Sequence, residues 1–114
     1  MKFRVQILTM TFFLVSCATL SSGEGIKHKE TFTVYGNCGM CKKTIEASLE
    51  DVSGIYWSDW EIESKQITVK FNPDSISLDD IQQRIADVGY DSDNYRAKDE
   101  VYNSLHGCCK YERP

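Results

Sequence analysis

Glu30-Thr31-Phe32-Thr33-Val34-Tyr35-Gly36-Asn37-Cys38-Gly39-Met40-Cys41-Lys42-Lys43-Thr44-Ile45 is the stretch on which the reading of this sequence turns. Its periodicity changes partway along. From Glu30 to Tyr35, Phe32 and Val34 fall on one side and Thr31, Thr33 and Tyr35 on the other, the alternation of a strand with one buried face. Gly36-Asn37 breaks the pattern. From Cys41 to Asp51 the period is helical, and Ile45, Leu49 and Val52 lie on one stripe with the small Ser48 beside them. The passage predicts a strand handing over to a helix, with two cysteines at the junction.

Outward from there, Ser53-Gly54 is a turn and Ile55 to Glu63 alternates again. Ser58, Trp60 and Ile62 face inward, and Asp59, Glu61 and Glu63 outward. Glu63-Ser64-Lys65-Gln66 is a hairpin connection. Ile67, Val69 and Phe71 form the inner face of the next strand, which Asn72-Pro73-Asp74 ends because proline cannot donate to the ladder. Ser77 caps a second helix, with Asp80 completing a capping box. Leu78, Ile81, Ile85 and Val88 make its apolar stripe, and Gly89 suits the left-handed residue after its end. Asp93 to Ala97 is the last expected strand. The order strand, helix, strand, strand, helix, strand with right-handed crossovers predicts an α+β, ferredoxin-like βαββαβ sandwich. Four antiparallel strands would carry two helices on one face. Trp57 and Trp60 are read as packing residues.

The chain has 114 residues, room for one small domain with a leader and a tail, and little core for a deep cleft. Net charge is −4 and no basic patch is present, which argues against nucleic acid. Residues 1–16 read as a signal peptide: Lys2 and Arg4 precede a mostly apolar run from Val5 to Val15, too short to span a membrane. Leu14-Val15-Ser16-Cys17 resembles a bacterial lipobox. The expectation is therefore a lipoprotein anchored through Cys17 on a membrane surface and facing the periplasm. The alternative is a plain leader cut after Ser16-Cys17-Ala18. Residues 17–29, rich in Ser, Gly and Lys, read as a flexible tether that includes His28 as a solvated residue. Residues 30–97 form the domain and 98–114 the tail.

Of five cysteines, Cys17 belongs to the leader. Cys38 lies in the loop and Cys41 in the first helical turn, where orphan N–H groups and the helix dipole favour thiolates. Lys42 and Lys43 add positive charge nearby. Two thiolates at this spacing can converge on one soft ion: Cu(I) first, with Zn(II), Hg(II) and Cd(II) as further candidates. An exported CxxC is also compatible with a structural disulfide or a thiol–disulfide redox pair. A structural zinc site usually needs four protein ligands, and only two lie here.

The segment from Glu30 to Ala97 resembles the heavy-metal-associated domain family, through the CxxC at the strand-to-helix junction, the βαββαβ order and the stretch Val88-Gly89-Tyr90-Asp91. That family includes small copper chaperones, periplasmic mercury-binding proteins and modules of metal-pumping P-type ATPases. The resemblance implies that Cys38 and Cys41 bind metal and that Tyr90 shields or tunes the site. A metal-transporting ATPase or another cysteine-containing acceptor would be the partner. Two positions depart from the family pattern. Gly36 stands where the family usually has an inward-packing methionine, which implies a less rigid loop. Ser58 replaces a usual apolar residue, which implies a looser inner face.

The tail falls outside that pattern. Lys98 to Leu105 reads as a short helix, with Val101, Tyr102 and Leu105 on one face and Gly107 at its end. His106-Gly107-Cys108-Cys109 follows, and both residue types are metal ligands. A regular last strand would leave the tail roughly 20 Å from the CxxC, a gap that a short helix and a few extended residues can span. The expectations are a site shared between Cys108 or Cys109 and the CxxC, a second independent site with His106, or redox pairing. Met40 is a candidate thioether ligand whose alternative is packing or exposure. Asp79, Asp80, Asp91 and Asp93 read as a solvated acidic face. No nucleophile with a base, paired carboxylates or phosphate loop is visible, so the reading is against an enzyme.

Overall fold

The computed structural model describes residues 27–114. The signal peptide, the lipidation position Cys17 and residues 17–26 of the tether lie outside the described residues.

Three strands form: β1 (His28–Thr33), β2 (Ile55–Trp60) and β3 (Gln66–Phe71). The sheet order is β1-β3-β2, with both pairings antiparallel. Strand β1 begins at His28, inside the stretch expected to be tether, and His28 pairs with Glu30 at 2.6 Å. The alternation works as the sequence suggests. Phe32 and Trp60 both sit opposite Ile67, so three large side chains line one face. Helices α1 (Gly39–Ala47) and α2 (Leu78–Asp87) cover that face. Ile45, Leu49, Ile81 and Ile85 are buried there with Val34, Val69 and Phe71. Each such side chain contributes about 1.5–3 kcal/mol. Ser58, opposite Val69, is only half-buried.

Local chemistry sets the helix ends. After Ala47 the hydrogen bonds of α1 tighten, Leu49 N–H to Glu46 O and Glu50 N–H to Ala47 O, and Asp51 turns left-handed at φ 54°. The helix therefore stops short of Asp51. At α2 the capping box is complete: Asp80 N–H donates to Ser77 Oγ at 3.1 Å, and Ser77 N–H reaches the Asp80 carboxylate at 3.5 Å. Gly89 follows with φ +105°.

Several expectations are corrected. Ile62 is exposed, because β2 ends at Trp60. A loop then closes the hairpin, Glu61 N–H donating to Gln66 O and Lys65 N–H to Glu61 O, with Lys65 at φ 60°. Trp57 lies on the outer face, 47% exposed under the Lys70 ammonium. Among the described residues the fourth strand is reduced to one bridge, Val34 with Ser92. Side chains take the backbone groups that a ladder would need: Asp93 accepts from Thr33 N–H at 3.1 Å and Asp91 from Ala97 N–H at 2.7 Å. Ser92 N–H bonds Tyr95 O, so the chain turns back here. Asp91 is not on a solvated face. It is 1% exposed and held by Arg113, Nε to Oδ2 and Nη2 to Oδ1, both at 2.8 Å.

The tail is built on that turn. Helix α3 (Asp99–Asn103) is shorter than expected, and Gly107 opens a 3-10 turn, Gly107–Cys109, rather than ending the helix. Tyr111 is fixed on three sides. Its hydroxyl donates to Gly89 O and accepts from Asp91 N–H, both at 2.8 Å, and its carbonyl accepts from Tyr102 Oη at 2.6 Å.

Two predictions follow from this packing. A Cβ at Gly36 would lie 2.9 Å from Trp60 Cη2 and 3.2 Å from Cys41 Cβ. The Trp60 ring thus fills the space a side chain at 36 would take, and Gly36→Ala should cost about 1–3 kcal/mol in urea unfolding. Combined with Trp60→Phe, the loss should be smaller than the sum of the single losses, the signature of a shared contact. Burial alone would raise the Asp91 pKa, but hydrogen bonds from Arg113 and Ala97 N–H outweigh it and hold the carboxyl below its usual range. A depressed folded pKa stabilises above the unfolded value of about 4, and that stability is lost as pH falls through the folded pKa. Asp91→Asn should therefore cost about 3 kcal/mol at neutral pH and flatten the acid limb of stability against pH.

Candidate metal centre

The site begins at the start of α1. Cys38 is the N-cap residue in extended conformation, and Cys41 sits one turn in, fully buried. Their sulfurs are 3.4 Å apart. The Cys41 thiol also donates to Asn37 Oδ1 at 3.2 Å. The turn at Ser92 brings the tail back beside this loop, so the long span expected for a regular last strand does not arise. Cys109 Sγ lies 3.7 Å from Cys38 Sγ and 3.8 Å from Cys108 Sγ. The sulfurs of Cys38, Cys108 and Cys109 all fall within 4.8 Å of one another. The Cys108 thiol points to Met40 Sδ at 3.5 Å. All four described cysteines are free thiols.

These spacings can be tested against ligand geometry. Sulfurs at about 2.3 Å from an ion stand roughly 3.8 Å apart in a tetrahedron, and about 4.6 Å apart in a line. The observed 3.4 and 3.7 Å bring the sulfurs close enough to converge on one ion.

The electrostatics divide the thiols. The Cys38 pKa is lowered to about 7, chiefly by the N–H of Cys41 at the helix start. Burial opposes the shift, and the thiols of Cys41 and Cys109 and the Met40 N–H assist it. Cys109 is pushed up to about 12 by burial, then by the neighbouring sulfurs of Cys38, Cys41 and Cys108. Burial thus favours the protonated form of Cys109. Lys42 does not serve the thiolates. Its ammonium donates to Asp59 Oδ1 at 2.8 Å and Trp60 O at 2.7 Å, pinning α1 to β2. Lys43 is exposed.

Tyr90 lies under the cluster, fully buried, beside Cys41 and Cys109. Burial, then these thiols, push its pKa up. Among the described residues its hydroxyl has no hydrogen-bond partner, an orphaned donor that a thiolate would satisfy. The ring stacks on Tyr111 at 5.6 Å. His106 is exposed and outside the group of converging ligands.

The candidate residues Cys38, Cys41, Cys108, Cys109, Met40 and Tyr90 are thus brought together, and His106 is not. Sequence reasoning missed Asn37, Tyr111 and Arg113. For the last two a signal exists: Cys109 and Tyr111 are buried and Arg113 nearly so, while Lys110, Glu112 and Pro114 are exposed, the period of an extended segment.

Residues 31–91 match the heavy-metal-associated domain. A copper chaperone CopZ from Staphylococcus aureus (strain JH9) is 30% identical over 64 residues, covering 55% of this chain and 94% of its own length. Oxidized MerP from Ralstonia metallidurans CH34 superposes with a TM-score of 0.55 at 28% identity, covering 59% of this chain and 94% of its own. A copper binding domain from HMA7, a P-type ATPase, gives a TM-score of 0.56 at 26% identity, covering 60% and 92%. The matched stretch ends at Asp91, where the chain turns back toward the thiols. Fold, junction and relatives agree, and the chain belongs to the heavy-metal-associated domain family.

Proposed function

We propose that this protein traffics or buffers a soft metal ion, Cu(I) first among candidates, held by the thiolates of Cys38 and Cys41 with Cys109 as third ligand. The observation that carries the reading is the convergence of the tail thiol on the CxxC, Cys109 Sγ standing 3.7 Å from Cys38 Sγ. Soft sulfur selects Cu(I) and also suits Zn(II), Hg(II) and Cd(II). Copper chaperone CopZ and the copper binding domain of a P-type ATPase, among the relatives, support copper and an ATPase or similar thiol-bearing acceptor as partner. Capture would exchange thiol protons for the ion. The reading assigns no catalytic step. The lipobox-like Leu14-Val15-Ser16-Cys17 supports export and anchoring through Cys17 at a membrane surface facing the periplasm.

Anaerobic titration of the reduced protein with Cu(I) and Zn(II) against a competing chelator tests this. One Cu(I) should bind tightly, and Cys38→Ser with Cys41→Ser should abolish it. Cys109→Ser should weaken it by more than about a hundredfold, the upper end of what an outer-shell contact costs. Binding indifferent to Cys38 and Cys41 would point instead to a thiol–disulfide redox protein. Tyr90→Phe should retain the fold and weaken Cu(I) by about tenfold, because the hydroxyl's hydrogen bond to a thiolate is lost. The same titration reads this out, with thermal unfolding of the apo protein as the structural control.

A further inference from the structure

We propose that Cys108 and Met40 form an outer port through which the metal ion enters and leaves the site of Cys38, Cys41 and Cys109, an inference that rests on the metal-binding reading above. Five sulfurs run in an unbroken series. Met40 Sδ is 3.5 Å from Cys108 Sγ, which is 3.8 Å from Cys109 Sγ; Cys109 is 3.7 Å from Cys38, and Cys38 is 3.4 Å from Cys41. A thiolate site takes about four ligands at most, so the series is longer than one ion needs.

Its outer end is exposed and its inner end is buried. Met40 is 47% exposed and Cys108 is exposed, whereas Cys109 is 3% and Cys41 0% exposed, with Cys38 between. The Cys108 thiol is turned toward Met40, so the two outermost sulfurs face each other at the surface. They come from separate elements, the first turn of α1 and the 3-10 turn, and meet only in the folded protein. A thioether is a weak, neutral ligand for soft ions, suited to passing an ion on rather than keeping it.

Movement along the series is ligand exchange. Cys108 and Met40 form bonds to the ion as the donor's sulfur–metal bonds break. Next Cys109 binds as Met40 leaves, and Cys38 and Cys41 bind as Cys108 leaves. Each entering thiol gives its proton to solvent, the departing Cys108 thiolate takes one back, and the ion keeps its oxidation state. Release retraces the same steps, so the port sets rates in both directions.

The test is stopped-flow transfer of Cu(I) from the loaded protein to a chromophoric chelator, and the reverse. Cys108→Ser and Met40→Leu are compared with wild type, the second a swap that conserves volume. Each should slow transfer by about tenfold, whereas Cys109→Ser should lose retention of the ion. Transfer at the wild-type rate in both variants would overturn the port. So would a loss of affinity in Cys108→Ser as large as in Cys109→Ser, since Cys108 would then be an inner ligand. Failure of the wild-type protein to hold Cu(I) at all would overturn the port together with the binding reading. The first two results leave that reading standing.

Discussion

The Asp91 carboxylate is the point on which the rest of this structure depends. It is buried, and it takes two hydrogen bonds from Arg113 and one from Ala97 N–H. Those bonds decide that the chain after α2 turns back instead of continuing as a strand along β1. A buried carboxylate is costly unless paired and bonded, and here the compensating cation, Arg113, comes from the tail. Domain and tail are therefore one cooperative unit. The packing repeats the message: Leu105 sits against Gly89, 3.1 Å from where a Cβ would be, and Tyr111 lies across Tyr90.

The sulfur cluster is a product of that turn. The helix start supplies a thiol of lowered pKa at Cys38, and the returning tail delivers one of raised pKa at Cys109. The contrast comes from exposure and from N–H groups, not from residue type. It gives a graded environment, in which one sulfur is ready for a cation at neutral pH and another waits for one. The buried Tyr90 hydroxyl, without a hydrogen-bond partner among the described residues, lies beside the same sulfurs.

Much of this was legible in the sequence. Period two in Phe32, Val34, Ile67, Val69 and Phe71 and period three to four in Ile81 and Ile85 read directly into the buried face. The CxxC lies at its predicted junction because Gly36-Asn37 interrupts both patterns. What failed was local competition for backbone hydrogen bonds. Asp91 and Asp93 look like a surface pair in the sequence, yet their side chains take the N–H groups of Ala97 and Thr33. No periodicity reports that choice. At Gly36, Trp60 occupies from another strand the space a side chain would take, a complementarity visible only in three dimensions.

Cys38 and Cys109 are 71 positions apart. An ion held by both acts as a staple across nearly the whole folded chain. By chain entropy, closing a loop of that length removes about 4 kcal/mol of freedom from the unfolded state. In the unfolded chain the CxxC and Cys109 are far apart, while the folded chain holds them together, so an ion bound by both would reinforce the fold. A loaded molecule would then be more resistant to unfolding and proteolysis than an empty one, and the abundance of the protein would itself follow the supply of metal.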